Sequence, residues 1–286
     1  MNNPSTQKST HSLSRSRRNL QWAVMIGTLI IGVRHIMPGE ASRGGAFDSF
    51  CAFGGIETLL PYLFSGQTLK STNLLNFSVL LGVLGVSLVA GRAFCGWLCP
   101  LGGVQDLITA WTRKLSGGRR QVRGRPGRTL LPLRVPAAWD RPLRYFKYPV
   151  LAAILIASLF MVFPPLRDFC PVRAVFGFRM TALLWTTLVV FLAGALLVER
   201  FWCKYFCPLG GALALFNKIA PLRLTVDEER CNNCGRCDIE CSMSIEAVPI
   251  HLDSPECIRC LECLQTCARA GSLTLGVGNI RTGKIR

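Results

Sequence analysis

CNNCGRCDIECSMSIEAVPIHLDSPECIRCLECLQTC (Cys231–Cys267) is the stretch from which the rest of the chain is read. It contains Cys231-x2-Cys234-x2-Cys237-x3-Cys241 and then Cys257-x2-Cys260-x2-Cys263-x3-Cys267. In a double iron–sulfur site of this spacing, the first three thiolates of one run and the fourth of the other hold each 4Fe–4S cube. That assigns Cys231, Cys234, Cys237 and Cys267 to one cluster, and Cys257, Cys260, Cys263 and Cys241 to the other. Tight loops let three sulfurs converge, and the exchanged fourth ligand ties the halves together. Structural zinc also uses C-x2-C pairs, but the third and fourth cysteines of each run argue against it.

Around these runs, LRLTV (Leu222–Val226) and SLTLGV (Ser272–Val277) are expected to pair as short strands, with a short helix after each run. The resulting α+β module, residues 222–277, is too small for a large apolar core. Bound clusters should therefore supply much of its stability. Ser242 and Ala268 follow the fourth cysteines, where proline is usual in two-cluster ferredoxins.

Half of the 286 residues are hydrophobic, which permits a membrane domain beside the module. Four stretches have roughly the 20 apolar residues that a crossing helix needs: Leu20–Met37, Phe77–Leu98, Phe146–Pro165 and Ala182–Phe201. Each lacks acidic residues through its middle, where a carboxylate costs about 2.5–3.5 kcal/mol to insert. Arg15, Arg17 and Arg18 precede the first, which reads as a retained signal anchor because no convincing small-residue cleavage site follows.

The net charge of +17 is unevenly placed. Arg223–Leu275 carries five basic and nine acidic residues, so the excess lies beside the apolar stretches, where it sets orientation rather than binding nucleic acid. Lysine and arginine number four in the N-terminal tail, two between Pro38 and Asn76, ten between Leu101 and Tyr145 and three between Leu166 and Thr181. This alternation puts both termini, the central loop and the iron–sulfur module on the cytoplasmic side of a bacterial inner membrane. A reducing cytoplasm suits thiolate clusters better than disulfides. The glycine- and arginine-rich SGGRRQVRGRPGR (Ser116–Arg128) reads as a topology signal, with contact to anionic lipid as the functional alternative.

RAFCGWLCPLGG (Arg92–Gly103) returns 108 positions later as RFWCKYFCPLGG (Arg200–Gly211), and DSFCAFGG (Asp48–Gly55) loosely resembles RDFCPVRA (Arg167–Ala174). The membrane domain, residues 20–221, is thus expected to be two parallel helix–loop–helix repeats, at about 20–115 and 140–221. Residues 1–19 and 278–286 form tails. Pro100 and Pro208 disfavour helix at Cys99 and Cys207, so each span should end there and Leu-Gly-Gly turn the chain along the surface. Cys95, Cys99, Cys203 and Cys207, with Cys51 and Cys170, admit two readings: additional redox or metal ligands, or small apolar packing groups. Cys51 and Cys170 should lie near the outer face, about 30 Å from the CxxxCP pairs, unless a loop such as IETLLPYLF (Ile56–Phe64) re-enters.

Other cofactors lack ligands. There is no CxxCH for covalent haem, and His35 is the sole histidine near a span. Neither a nucleotide fingerprint nor a P-loop is present. His35, Glu199 and Arg200 are polar groups at span ends, read as anchoring or structural before any quinone role.

Four spans, two CxxxCPLGG repeats and the terminal double cluster motif together resemble the membrane-bound ferredoxin-type proteins grouped with NapH and MauN, and the membrane half of NosR. The resemblance runs from about Leu20 to Val277. It implies electron transfer between quinol and a redox protein partner, as an electron-transfer component of quinol dehydrogenation. The alternative it implies is redox support of metalloenzyme maturation or regulation. The acidic module suggests a partner with a basic docking surface.

Overall fold

A computed structural model of the chain describes residues 4–34, 52–65, 74–116, 132–160, 169–178, 180–227, 229–245, 254–267 and 271–277, and is mostly helical. A first unit runs through α1 (Pro4–Arg34), α2 (Ala52–Ser65), α3 (Leu74–Ala90), α4 (Ala93–Trp97) and α5 (Pro100–Leu115). After α6 (Ala137–Tyr145), a second unit repeats the order as α7 (Lys147–Leu159), α8 (Pro171–Phe176), α9 (Ala182–Leu197), α10 (Phe201–Tyr205) and α11 (Pro208–Ala214). The short α12 (Phe216–Ile219) follows. Within each unit the first helix packs on the last, α1 on α5 and α7 on α11. Between units the loop helices are exchanged: α2 packs on α7, and α8 on α1.

The long helices stop earlier than the sequence leads one to expect. α3 ends at Ala90, where Gly91 takes φ +54°, and a Cβ at that position would stand 2.0 Å from the Asn217 side chain. α9 ends at Leu197, and Arg200 turns the chain at φ +51°. The stretches expected as Phe77–Leu98 and Ala182–Phe201 are therefore each a long helix followed by a break. Leu-Gly-Gly does not turn the chain either; it opens α5 and α11, with Pro100 and Pro208 at the first helical position and Cys99 and Cys207 extended before them.

Among the described residues one helical stretch, Ala137–Leu159, is both long and apolar enough to cross a membrane, and 76–90 and 182–197 are apolar but shorter. α1 extends back to Pro4, so the basic segment before Leu20 is helical. Residues 35–37 and 161–165, the expected ends of the first and third spans, lie outside the described residues, as does all but Ser116 of the Ser116–Arg128 loop.

The module holds β1 (Leu222–Val226), α13 (Arg236–Glu240), α14 (Glu262–Thr266) and β2 (Leu273–Val277). The strands are antiparallel, with Thr225 opposite Thr274 and their hydroxyls 3.1 Å apart. Two short helices lie inside the cysteine runs, and residues 246–253 and 268–270, where a helix after each run is expected, lie outside the described residues. The x3 gap is one helical turn, so α13 and α14 carry the third cysteine of each run, Cys237 and Cys263, and end at the fourth.

Candidate iron–sulfur centre

Two cavities in the module divide the eight cysteines. One is lined by Cys231, Cys234, Cys237 and Cys267, the other by Cys241, Cys257, Cys260 and Cys263. Cys241, from the first run, lines the cavity of the second, and Cys267 does the converse. The loops around the two cavities share a backbone pattern. Asn233 and Gly235 stand at φ +50° and +70° on either side of Cys234, and Arg259 and Leu261 at +48° and +62° around Cys260. Such left-handed residues amid right-handed ones turn successive N–H groups to one side, the concavity that anionic phosphate and iron–sulfur groups use. Leu261 holds this conformation without glycine's freedom, at a cost of about 1–3 kcal/mol.

The donor chemistry fits a cluster. The described lining of the second cavity has no carboxylate or histidine; its four thiols stand with Ser242 among apolar residues such as Leu224, Met243 and Ile258. Among the described residues, no three His, Cys, Asp or Glu side chains are grouped so as to hold a single metal ion. A 4Fe–4S cube gives each thiolate its own iron, so its ligands need not meet at one point. Burial pushes the Cys260 thiol up to about 12, with Glu262 adding repulsion, and burial with Asp238 pushes Cys237 to about 11. Free thiols so placed keep their protons, and ligation has to release them.

The second cavity is built against the repeat units. Asn217 Nδ2 donates to the carbonyls of Ser254, Pro255 and Cys257 at 3.3, 3.1 and 2.7 Å. Trp97 Nε1 donates to the Arg259 carbonyl at 2.9 Å, and Arg17 Nη1 to that of Cys260 at 3.5 Å. Gly96 lies so close to this loop that a Cβ on it would stand 2.5 Å from the Ile258 oxygen. Cys95, Ile258 and Met243 share one apolar core, with Cys241 and Cys260 packed against it. On the far side Cys234 is exposed.

Buried ion pairs lock this arrangement. Wholly buried Arg92 reaches Glu256 at 3.0 Å, and Lys147 pairs with the same carboxylate. Asp106 accepts from Arg17 at 2.7 Å and from Arg200 at 2.6 Å. Burial pushes the Asp106 carboxyl up, but the guanidinium groups of Arg200 and Arg17 outweigh it and hold it below its ordinary value. Glu256 is likewise raised by burial and more strongly lowered by Arg92 and Lys147. Lys204, buried and facing Arg144, is pulled down to about 8 and donates to the Ser244 hydroxyl at 2.8 Å.

Of the remaining residues singled out in the sequence, Cys95 and Cys203 are buried, and Cys99 and Cys207 cap α5 and α11. Cys170 caps α8, which touches both α1 and α5, so this loop does return toward the helix that Cys99 opens. Cys51 and His35 lie outside the described residues. Glu199 is engaged by Arg113 at 2.6 Å and Arg200 by Asp106, both structural pairings. Sequence reasoning read Arg17 only as a flank of the first span and missed Asp106, Lys147 and Glu256. It also missed an apolar cavity of about 270 Å³ between the units and the module, lined by Leu20, Ala90, Phe94, Trp97, Arg259 and Leu275 among others.

The family model described as "4Fe-4S binding domain" matches the chain twice, at residues 72–119 and 179–226. These are the two CxxxCP units, not the Cys231–Cys267 runs. YccM of Escherichia coli is 28% identical over 247 residues, which cover 82% of this chain and 65% of YccM. The protein MJ0749 of Methanocaldococcus jannaschii is 31% identical over 199 residues, 70% of each chain. The ferredoxin-type protein NapH of Haemophilus influenzae is 30% identical over 225 residues, 72% of this chain and 71% of NapH. No solved structure matches. The chain therefore belongs to the NapH/NosR-type family of ferredoxin-like iron–sulfur electron-transfer proteins.

Proposed function

We propose that the chain is a multi-pass protein of the bacterial inner membrane that passes electrons between the quinol pool and a redox protein partner, as the electron-transfer component of a quinol dehydrogenase. Cys231, Cys234, Cys237 and Cys267 would hold one 4Fe–4S cluster, and Cys257, Cys260, Cys263 and Cys241 the other. Each cluster, when bound, supplies one-electron transfer, so the pair matches the two electrons a quinol gives up.

Position carries this reading. The cavity of Cys241, Cys257, Cys260 and Cys263 is built into the repeat units, while Cys234 of the other cavity faces solvent. One end of the module thus meets the repeat units and the other is open to a partner. Lipid exposure is supported by Ile30, Leu81, Ile156 and Val189, each more than half exposed on its helix. Four spans with both termini and the module cytoplasmic accord with the lysine and arginine distribution. The apolar cavity beside Arg259 and Leu261, the latter also lining the second cluster cavity, is the place for a quinol ring, with Phe94 and Trp97 offering flat faces. Its described lining holds no carboxylate or histidine, so the two protons released pass to water.

The test is anaerobic purification in detergent, iron and sulfide determination, and EPR during titration with a quinol. Quinol-dependent cluster reduction, slowed by Trp97→Ala while reduction by dithionite is unchanged, is the expected result. Clusters indifferent to every quinol analogue would remove the quinol coupling, and zinc in place of iron would remove electron transfer itself.

A further inference from the structure

We propose that Cys95, Cys99, Cys203 and Cys207 together hold a third 4Fe–4S cluster, shared between the two repeat units at their pseudo-two-fold axis. This goes beyond the module's two clusters and does not depend on the quinol reading.

The units bring equivalent groups together. In each, the first cysteine sits in a five-residue helix and the second is an extended cap preceding proline. Arg92 and Arg200 occupy equivalent positions, and each crosses to the other unit. Arg92 Nη2 donates to the Cys203 carbonyl at 3.4 Å, and Arg200 Nη1 to the Cys95 carbonyl at 3.0 Å. Glycines make room for them: a Cβ at Gly102 would lie 3.3 Å from Arg200 Nη1, and one at Gly210 2.8 Å from Arg92 Nη2. The same Cβ atoms would lie 3.6 Å from Cβ of Cys99 and of Cys207 respectively, so each second cysteine stands beside the opposite unit's arginine. Cys99 and Cys207 are each within electrostatic reach of both Cys95 and Cys203.

The surroundings suit an anionic sulfur centre. Gln105 Nε2 of the first unit donates to Cys203 Sγ of the second at 3.1 Å, and Gly210 N–H to Cys207 Sγ at 3.4 Å. Arg92 and Lys147 converge on the single carboxylate of Glu256, while Arg200 and Arg17 share Asp106 and Arg17 also reaches Glu262 at 2.9 Å. One buried cation beside Glu256 is thus left without a carboxylate of its own, and thiolates bound to iron carry negative charge that would offset it and that both guanidinium groups would face. The four sulfurs are not gathered for a single ion, and a cube that gives each thiolate its own iron does not require it. Cys95 also lies in the apolar core against which Cys241 and Cys260 pack, so a centre here would neighbour the module's second cavity.

The test is iron and sulfide per chain, with 57Fe Mössbauer area, on the full-length protein purified anaerobically in detergent. The expected value is about twelve irons, four per cluster. Cys99→Ser with Cys207→Ser should lower it to about eight with both module EPR signals retained, and Cys234→Ser with Cys260→Ser should leave about four. About eight irons in the unaltered protein, zinc at the four thiols, or a pair of disulfides among them by mass spectrometry would overturn the proposal. The Mössbauer area of the unaltered protein decides the matter even where a variant fails to fold. Absence of module iron would strike the proposed function instead, so the two failures are distinguishable.

Discussion

The guanidinium of Arg92 lies 3.0 Å from the carboxylate of Glu256, and Arg92 is wholly buried, so a repeat unit and the iron–sulfur module are joined by a largely buried ion pair. Lys147 shares that carboxylate. Removing Glu256 would leave two buried cations facing each other. The expected cost of Glu256→Ala is about 3–5 kcal/mol, the range for breaking one side of a buried pair. Thermal unfolding in detergent should show a lower midpoint, and limited proteolysis should release the module. An unchanged midpoint and digestion pattern would mean that the pair does not hold the interface.

Gly96 makes the same interface through shape rather than charge. With the Ile258 oxygen 2.5 Å from where its Cβ would be, Gly96→Ala has to push the Cys257–Cys260 loop away from α4. Such overpacking costs about 1–3 kcal/mol. Gly82 and Gly85, in α3, have nothing within 4 Å of a new Cβ, so alanine there should be neutral or stabilising by up to about 1 kcal/mol. Equal effects at Gly96 and Gly82 in a side-by-side thermal scan would contradict the close approach.

What the sequence discloses here is what is local. The cysteine spacing, the strands Leu222–Val226 and Leu273–Val277, and the repeated CxxxCPLGG segments are legible because each is defined within a few residues. The helix breaks at Gly91 and Arg200 are not, because apolar residues resume directly after Arg92 and Arg200 and each stretch reads as one span. Nor does any local pattern couple Arg17 to Asp106, 89 positions away, or Arg92 to Glu256, 164 away. One signal for the latter network was in view: both repeats begin with arginine, a residue that does not belong at the end of an apolar span unless it has a buried partner.

Acid should loosen α1 from α5 through Asp106. Its carboxyl is held below its ordinary value in the folded chain, so the stabilisation is complete above the unfolded value of about 3.9 and is lost as pH falls through the lower folded value. Asp106→Asn should lower the thermal midpoint at pH 7, and the difference between the two proteins should shrink below about pH 4. A difference that stays constant down to pH 2 would place the effect of the substitution in packing, not in charge.

The exchange of Cys241 and Cys267 between cavities can be tested by pairing substitutions. Cys241 lies in the first run but lines the cavity of Cys257, Cys260 and Cys263. If cavity membership governs ligation, Cys241→Ser combined with Cys260→Ser removes two ligands of one cluster, and about four irons are lost. Cys241→Ser combined with Cys234→Ser strikes both clusters, and about eight irons are lost. Assignment by run predicts the reverse pattern. Iron analysis with EPR of the dithionite-reduced proteins separates the two, because one surviving cluster gives a signal without the magnetic interaction expected of a close pair. Loss of both clusters in the Cys241/Cys260 variant and of one in the Cys241/Cys234 variant would show that the fourth cysteine stays with its own run.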